Sequence, residues 1–278
     1  MKPTVRSRTL TTAFMFLVAV YILLPIWWLL VSATKSGGDL FDTPALWFGD
    51  LNLGTNLARL MEQDGGVYPR WMLNTVVYSV GGALGATVIS AMAGYALSKY
   101  PFRGRGAVFA TIMFAVLIPI PLLGLPLYLL LTQIGLLNTM WAVLLPSMVS
   151  PFGVYLARVY ADAAVPGELL EAGRLDGAGE LRIFFTVAIR LMAPALVTLF
   201  LFQFVAIWNN FFLPMIVLND ESLWPITLGL VKWNSLRYGF YRDMVITGAF
   251  VSVIPVILAF IGLQRFWKAD LAAGGVKL

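Results

Sequence analysis

The sequence predicts an all-α integral membrane protein with six transmembrane helices, because of its composition and its long uncharged segments. Of the 278 residues, 60% are hydrophobic and only 12% are charged, whereas soluble domains carry roughly 25% charged residues. An apolar helix of about 20 residues crosses the hydrocarbon core of a bilayer. Segments of this length without a charged side chain recur along the chain, and they indicate a protein that crosses the membrane several times.

The first two spans are predicted at residues 11–33 and 71–97. Residues 9–34 contain no Asp, Glu, Lys or Arg and follow Lys2, Arg6 and Arg8, which are typical of the basic start of a signal peptide. The apolar part is too long for a cleaved signal, and no clear small-x-small cleavage site follows it. We therefore expect an uncleaved first span. The second span falls in the uncharged residues 71–98.

The remaining spans are predicted from three further segments. Residues 106–156 are uncharged throughout, which is long enough for two helices and a tight turn. With the turn at QIGLLNT, residues 133–139, the third and fourth spans lie at 106–131 and 138–157. The fifth and sixth are expected at 193–218 and 244–264. Residues 1–278 then form a single transmembrane domain, with a charged loop at about 161–190 between spans four and five.

The basic residues predict the orientation of these spans. Six crossings place both termini on one side, and thirteen of the 19 Lys and Arg residues lie on that side. The other six lie in longer loops on the opposite side, together with eight acidic residues; the six are Lys35, Arg59, Arg70, Lys232, Arg237 and Arg242. Because Lys and Arg are enriched in cytoplasmic loops, we expect both termini and the charged loop to be cytoplasmic.

The composition excludes several kinds of chemistry. The chain has no Cys and no His, which removes disulfides, thiol and histidine catalysis, and the zinc sites that need those ligands. It has no G-x-x-x-x-G-K-[ST] phosphate loop, so we do not expect it to hydrolyse ATP. The basic residues are scattered, which does not favour nucleic-acid binding. No paired carboxylates and no nucleophile with a base are found, so we predict neither catalytic residues nor a metal site.

The densest charge lies within the predicted cytoplasmic loop, in ELLEAGRLDGAGELRIF, residues 168–184. Pro166 suits a helix start, and Glu168 and Glu171 fall in the first turns, where the helix dipole favours anions. Glu171 is also spaced to pair with Arg174 at i,i+3. The pair Asp176-Gly177 then ends the helix, and a second helix over about 179–190 leads into span five.

Small residues on this helix suggest a contact. Ala172 and Gly173 leave one side of the helix nearly without side chains, so another surface could approach its backbone closely. The residues alone allow two interpretations of the loop. It is either a solvated helix lying on the bilayer or a docking helix for a cytoplasmic partner.

Residues 168–196, ELLEAGRLDGAGELRIFFTVAIRLMAPAL, resemble the EAA loop of the permease subunits of binding-protein-dependent ABC importers. In that family the loop forms a coupling helix seated in a groove of the ATPase subunit. The resemblance implies an ATPase-coupling role for the matching positions Glu171, Ala172, Asp176, Gly177 and Ala178, and for Gly173, which stands where the motif commonly has Ala. Arg190 stands where the family often has a proline, whereas Pro194 is retained.

Three other segments resemble the carbohydrate branch, the maltose-transporter-like permeases: YALSKYPFRGR at 95–105, WNNFFLP at 208–214 and GGVKL at 274–278. The resemblance implies a sugar importer in the cytoplasmic membrane of a bacterium or archaeon. It also implies a second permease chain, separate ATP-binding subunits that hold ATP and Mg, and an extracytoplasmic substrate-binding protein. No cofactor is implied for this chain. The particular sugar and this chain's share of the binding pocket are left open.

The substrate path is predicted to rest on neutral groups. Trp208, Asn209 and Asn210 fall deep in span five, where a ring could stack on a sugar and amides could bond its hydroxyls. The alternatives are an interfacial Trp and Asn side chains that join helices. Weaker candidates, expected to join helices, are Gln203, Asn74 and Asn138. The GGALG segment at 81–85 is likewise predicted to be a helix-packing face.

Two alternative functions remain open at this stage. An ion-coupled secondary transporter usually buries carboxylates or histidines in the membrane as relays, and the uncharged segments contain none. An ABC permease for a non-carbohydrate solute is the other.

Overall fold

The computed structural model describes the backbone of residues 5–235 and 242–274, and the side chains of residues 9–235 and 242–266. These residues are almost entirely helical, and no β-strand occurs among them, so the predicted all-α class is confirmed. Lys2, Arg237 and residues 275–278 of the GGVKL segment lie outside the described residues.

The α-helices of the described residues are α1 Val5–Ala33, α2 Asp39–Asp42, α3 Leu53–Lys99, α4 Arg105–Val116, α5 Gly124–Gln133, α6 Met140–Ser147, α7 Pro151–Ala164, α8 Gly167–Leu175, α9 Glu180–Ile183, α10 Ile189–Trp208, α11 Phe212–Val217, α12 Ile226–Ser235 and α13 Arg242–Gly274. Short 3₁₀ segments lie at Ile120–Leu123 and Glu221–Leu223, and a π-helical segment, Phe184–Ala188, joins α9 to α10. Helix α3 is interrupted at residues 63–66, where Asp64, Gly65 and Gly66 have positive φ.

Among the described residues, five helical segments are long and apolar enough to cross a membrane: Thr9–Ala33, Leu53–Lys99, Met140–Ala164, Glu180–Trp208 and Arg242–Phe266. A sixth crossing is obtained only if Arg105–Val116 and Ile120–Gln133 count as one span, and these two are bent by 103°. The sequence predicted one span over 106–131 here. Pro119 and Pro121 account for the difference, because proline lacks an N–H and disfavours helix in the residue before it.

A tight turn lies at the predicted position, within residues 133–139. Helix α5 ends at Gln133 and α6 begins at Met140. Between them Gly135 and Asn138 adopt left-handed conformations, with φ of 69° and 57°. These two positions let the chain reverse over only six residues, 134–139, and Asn is one of the few non-glycine residues that accept this conformation.

The chain divides into two compact units. The first comprises Met1–Pro69 and Gly229–Ile254. Within its described part, Tyr68 donates a hydrogen bond to the carbonyl of Gly248 at 2.7 Å, and its ring stacks on Trp233. Arg59 pairs with the buried carboxylate of Asp243 at 2.6 Å. These contacts hold the first turns of α13 against the beginning of α3.

The second unit comprises Arg70–Leu228 and Pro255–Leu278, and its described core depends on glycines in α3. A Cβ at Gly82 would lie 2.8 Å from Ile207 Cδ1, and one at Gly85 would lie 2.4 Å from Met148 Cγ. A Cβ at Gly94 would lie 2.6 Å from the backbone nitrogen of Arg158. The predicted packing role of the GGALG segment is therefore confirmed, and Gly94 permits a second close approach further along α3, against α7.

Candidate functional site

The charged loop folds as a helix, a tight turn and a second helix, in the order expected. Helix α8 starts after Pro166, with Glu168 in its first turn and Arg174 in its last, so both charges complement the helix dipole. The helix ends at Leu175 with Asp176 as its C-cap, and Gly177 takes φ 76°, a conformation that glycine adopts at little cost. The amide of Ala178 then donates to the carbonyl of Gly173 at 3.0 Å, which closes the turn.

The loop rests on a buried apolar base in the second unit. Leu170 of α8 is 3% exposed and Ile183 of α9 is 1% exposed, and both belong to a cluster with Tyr95, Ala161 and Phe184. Gly173 packs on Ile183, since a Cβ at Gly173 would approach the Ile183 side chain to 3.1 Å. Gly173 therefore serves the packing of α8 on α9.

Three polar side chains fasten α8 to its surroundings. The Nε of Arg174 donates to Glu180 Oε1 at 2.7 Å, and a second guanidinium nitrogen lies 3.3 Å from Oε2. The hydroxyl of Tyr100, which directly follows α3, donates to the same carboxylate at 2.5 Å. The hydrogen bond to Glu180 raises the pKa of Arg174 above its ordinary value. We call these residues the Arg174–Glu180–Tyr100 link.

The expected pairing of Glu171 with Arg174 is wrong. The guanidinium turns instead toward Glu180, because the left-handed turn at Gly177 brings the start of α9 beside the last turn of α8. Sequence reasoning missed Glu180 and Tyr100 as partners. No local pattern could have indicated Tyr100, which lies 80 residues before Glu180.

The opposite face of α8 is open. Leu175 is 89% exposed and Leu169 is 45% exposed, and Ala172 lies exposed on the same helix. The exposed acidic residues of this segment are Glu168, Glu171 and Asp176. Of the remaining motif positions, Gly177 is exposed, whereas Gly173 and Ala178 are half-buried. This exposed surface carries both apolar side chains and carboxylates, and we call it the α8 face.

The predicted substrate-path residues occupy three different environments. Trp208 ends α10 and is 4% exposed, packed against Phe204 within the apolar core. The Oδ1 of Asn210 accepts the amide of Leu213 at 3.2 Å, and its carbonyl accepts the hydroxyl of Thr227. Asn209 is exposed, with its amide donating to the carbonyl of Val205 at 2.8 Å. Stacking of Trp208 on a sugar stays a prediction, and it requires this core to open.

The weaker polar candidates join segments of the chain, as expected. Gln203 donates to the hydroxyl of Ser150 at 2.6 Å, beside the break between α6 and α7. Asn74 donates to the carbonyls of Ser222 and Trp224 at 2.8 and 3.0 Å. The side-chain oxygen of Asn138 accepts the amides of residues 219 and 220 at 2.8 and 2.9 Å.

Two further observations concern acidic side chains. A backbone hydrogen bond from Ser222 lowers the pKa of Asp220, at the end of the segment that Asn138 holds. In the described part of the chain, no group of three Asp or Glu side chains is placed to hold a metal ion.

The chain is similar to a known protein family and to individual permease proteins. Residues 72–268 match the family described as the binding-protein-dependent transport system inner membrane component. The arabinooligosaccharides transport system permease protein AraQ of Halalkalibacterium halodurans is 34% identical over 269 residues, covering 97% of this chain and 95% of the relative. The lactose transport system permease protein LacG of Rhizobium radiobacter is 29% identical over 265 residues, covering 94% and 93%.

A solved structure shares the fold. The crystal structure of a bacterial ABC transporter that imports the acidic polysaccharide alginate contains a chain that matches with a TM-score of 0.83 at 24% identity. The match covers 95% of this chain and 99% of the other. The described helices therefore follow a known arrangement along nearly the whole chain.

Proposed function

Because the chain belongs to the family of binding-protein-dependent transport system inner membrane components, we propose that it couples sugar import to ATP hydrolysis in a separate subunit through α8. The chain is a multi-pass protein of the cytoplasmic membrane and a permease of this family. In the proposed importer it forms half of the translocation pathway. Membership of this family favours an ATP-driven importer over an ion-coupled carrier.

The proposed substrate is an oligosaccharide or a sugar derivative. The relatives described above are permeases for arabinooligosaccharides and for lactose, and they match along more than nine-tenths of this chain. Their names agree with the carbohydrate-type segments at 95–105 and 208–214. Asn209, with its exposed amide, is the favoured substrate contact of the three predicted residues. A non-carbohydrate solute stays the second candidate.

The α8 face is the observation that carries the coupling proposal. Leu175 is 89% exposed, and it lies with the exposed Leu169 and Ala172 on a helix whose other side is fixed by the buried Leu170. Exposed apolar residues rimmed by charge are typical of an interaction surface. We therefore propose that Leu169, Ala172 and Leu175 enter an apolar groove of the ATPase subunit.

The charge of the α8 face indicates the chemistry of that groove. Glu168, Glu171 and Asp176 are exposed along with its apolar residues. A groove with Lys or Arg at its rim complements these carboxylates, and such complementarity sets orientation and specificity more than affinity. Glu171, the first residue of the motif, is proposed as the polar anchor.

The proposed assembly contains this chain, a second related permease, ATP-binding subunits that hold ATP and Mg, and an extracytoplasmic substrate-binding protein. The termini and the α8 face are proposed to be cytoplasmic, on the basis of the distribution of Lys and Arg. This orientation places α8 on the side where ATP is available.

Replacement of Ala172 by Trp tests the coupling role. A groove that fits alanine has no room for the indole ring, so the substitution displaces α8. Overpacking of this kind costs roughly 1 to 3 kcal/mol, occasionally more, and it weakens the contact with the ATPase. On a bilayer surface the same ring is favoured. We expect Ala172→Trp to insert normally but to lose the co-purifying ATPase and substrate-stimulated ATP turnover, with Glu171→Ala weaker in the same direction.

The matched control is Ala163→Trp, which places the same ring at an exposed alanine of α7 outside the α8 face. This variant is expected to retain the ATPase. Normal co-purification and uptake in Ala172→Trp would reject the coupling role of α8.

A further inference from the structure

The loop between α1 and α3, residues 34–52, is a folded element with fixed ends. The amide of Asn52 donates to the carbonyl of Thr34 at 2.7 Å, which closes the loop. The side-chain amide of Asn56 donates to the carbonyls of Ala33 and Lys35 at 3.0 and 2.8 Å, so it provides hydrogen-bond donors for carbonyl groups at the end of α1. The buried Lys35 reaches into the loop and donates to the carbonyl of Pro44 at 2.8 Å. These bonds give the loop a defined position at the end of α1.

The middle of this loop folds back along the span. The indole of Trp27 donates to the carbonyl of Leu46 at 3.0 Å, and its ring meets Phe48 edge-on at 5.6 Å. Trp27 lies six residues before Ala33, the end of α1, which is about 9 Å along the helix axis at 1.5 Å per residue. Because helical side chains lean toward the N-terminus, the indole lies no nearer the end of α1 than its own backbone. Residues 46–48 thus lie beside the last turns of the span.

The loop presents large apolar side chains at this level. Trp47 is 67% exposed, Phe41 is 69% exposed and Leu51 is 75% exposed, while Leu46 is nearly half exposed. Such residues are costly to hold in water, and a Trp ring is favoured where apolar and aqueous phases meet. The exposed Asp50 directly precedes Leu51 in the sequence, so a charged and an apolar side chain are exposed next to each other along the loop.

The neighbouring surface of α1 indicates what covers these residues. Every residue from 9 to 28 is exposed, and only 6% of the most apolar part of this span is buried within the chain. A helix that is apolar on all sides and crosses the membrane has lipid as its surroundings. The loop residues continue that surface at the end where the span leaves the hydrocarbon.

We propose that Phe41, Leu46, Trp47 and Leu51 form a lipid anchor that inserts into the headgroup region of the bilayer at the C-terminal end of α1. The buried apolar area holds the loop at the membrane surface, as in interfacial segments. The anchor depends only on the chain spanning the membrane, so it is independent of the coupling role proposed for α8.

Spin labels at single cysteines test the anchor, since the chain contains no Cys of its own. The transporter, with every subunit that co-purifies, is reconstituted in nanodiscs of phosphatidylethanolamine and phosphatidylglycerol. Collision of the label with oxygen, which dissolves in lipid, is compared with collision with a water-soluble nickel chelate. The test positions are Trp47→Cys and Leu51→Cys. Both side chains are exposed, so their loss removes no buried contact.

Three control positions calibrate the measurement. Leu24→Cys, on the exposed surface of α1, reports lipid, and Glu62→Cys, exposed in the same unit, reports water. Asp50→Cys is the matched control within the loop. We expect oxygen to exceed the nickel chelate at Trp47 and Leu51, as at Leu24, and the reverse at Asp50. Access of the nickel chelate to Trp47 or Leu51 would overturn the anchor. Exclusion of both reagents would also overturn it, because a protein partner would then cover the loop.

Discussion

The guanidinium of Arg174 and the carboxylate of Glu180 lie 2.7 Å apart and join the last turn of α8 to the first turn of α9 across the Gly177 turn. Both side chains are more than two-fifths exposed. An ion pair of this kind contributes only about 0 to 1 kcal/mol to stability. Since Tyr100 bonds the same carboxylate, the pair is better suited to orient α8 relative to the end of α3 than to stabilise the fold.

Glu180→Gln is expected to reduce the amount of sugar imported per ATP hydrolysed. The substitution keeps the size of the side chain but removes the charge that holds Arg174, so α8 loses its fixed orientation while its buried base stays in place. The measurement is the ratio of uptake to ATP turnover in proteoliposomes. Loss of assembled transporter alone would lower both rates together and leave this ratio unchanged.

Tyr100→Phe removes only the hydroxyl of the Arg174–Glu180–Tyr100 link and is expected to lower the same ratio, by less. Arg182→Gln is the matched control, because it neutralises another exposed residue of α9. An unchanged ratio of uptake to ATP turnover in both Glu180→Gln and Tyr100→Phe would reject the orienting role of the link. The coupling role of α8, which Ala172→Trp tests, would not be affected by that result.

The proposed orientation predicts the reactivity of single cysteines toward a thiol reagent that does not cross membranes. Arg103→Cys and Gly179→Cys are expected to be shielded in intact cells, whereas Glu62→Cys is expected to react. Glu62 is preferred over its neighbour Asp64, whose carboxylate accepts the indole of Trp233 at 2.8 Å. All three sites should react after the cells are permeabilised. The opposite pattern in intact cells would reverse the topology.

Gly94→Ala is expected to destabilise the protein more than Gly85→Ala. At Gly94 the new methyl group meets the backbone of α7, which has little freedom to move, whereas at Gly85 it meets the flexible side chain of Met148. Overpacking of this kind typically costs about 1 to 3 kcal/mol. Gly106→Ala is the control, since its Cβ position has no packing neighbour within 4 Å beyond the adjacent residues and the nearby backbone of its own helix. Thermal unfolding of the purified variants in detergent provides the ranking, and equal midpoints for Gly94→Ala and Gly106→Ala would contradict it.

Asn209→Ala and Asn74→Ala are expected to separate substrate binding from stability. Asn209 is exposed, and its amide gives one N–H to the Val205 carbonyl, which leaves the second N–H and the side-chain oxygen for a solute. The loss of this side chain should raise KM for the transported sugar by about two- to tenfold. Asn74 holds two carbonyls of the segment after α11, and its loss should lower the unfolding temperature without changing KM. Uptake kinetics and thermal unfolding are measured on both variants. A normal KM in Asn209→Ala would remove this residue from the substrate path.

The sequence was most informative where the structure is determined by neighbouring residues. Pro166 and the Asp176-Gly177 pair correctly predicted where α8 begins and ends, because helix starts and left-handed turns depend on local backbone preferences. The predicted partner of Arg174, Glu171, was wrong, because Glu180 lies beside Arg174 only once the turn at Gly177 has formed. The burial of Trp208 was also not predictable, since it depends on packing against Phe204 and the surrounding core.

Arg190 illustrates a further limit. The sequence left the entry into span five open at this position, where the family often has a proline. In the structure the π-helical segment leads directly into α10, and Arg190 lies inside that helix. Arginine retains the backbone N–H that proline lacks, so a continuous helix is permitted here.

The exposure of α1 has a consequence for how the protein is made. Residues 9–28 lie outside the chain's own core, so the first span does not need later segments in order to be satisfied in the membrane. Each Leu, Ile, Phe or Val near the centre of such a helix favours insertion by about 0.3 to 0.6 kcal/mol. During synthesis, α1 can therefore leave the translocon for lipid as soon as it emerges from the ribosome, and it then holds the growing chain at the membrane while the glycine-packed helices are still being made.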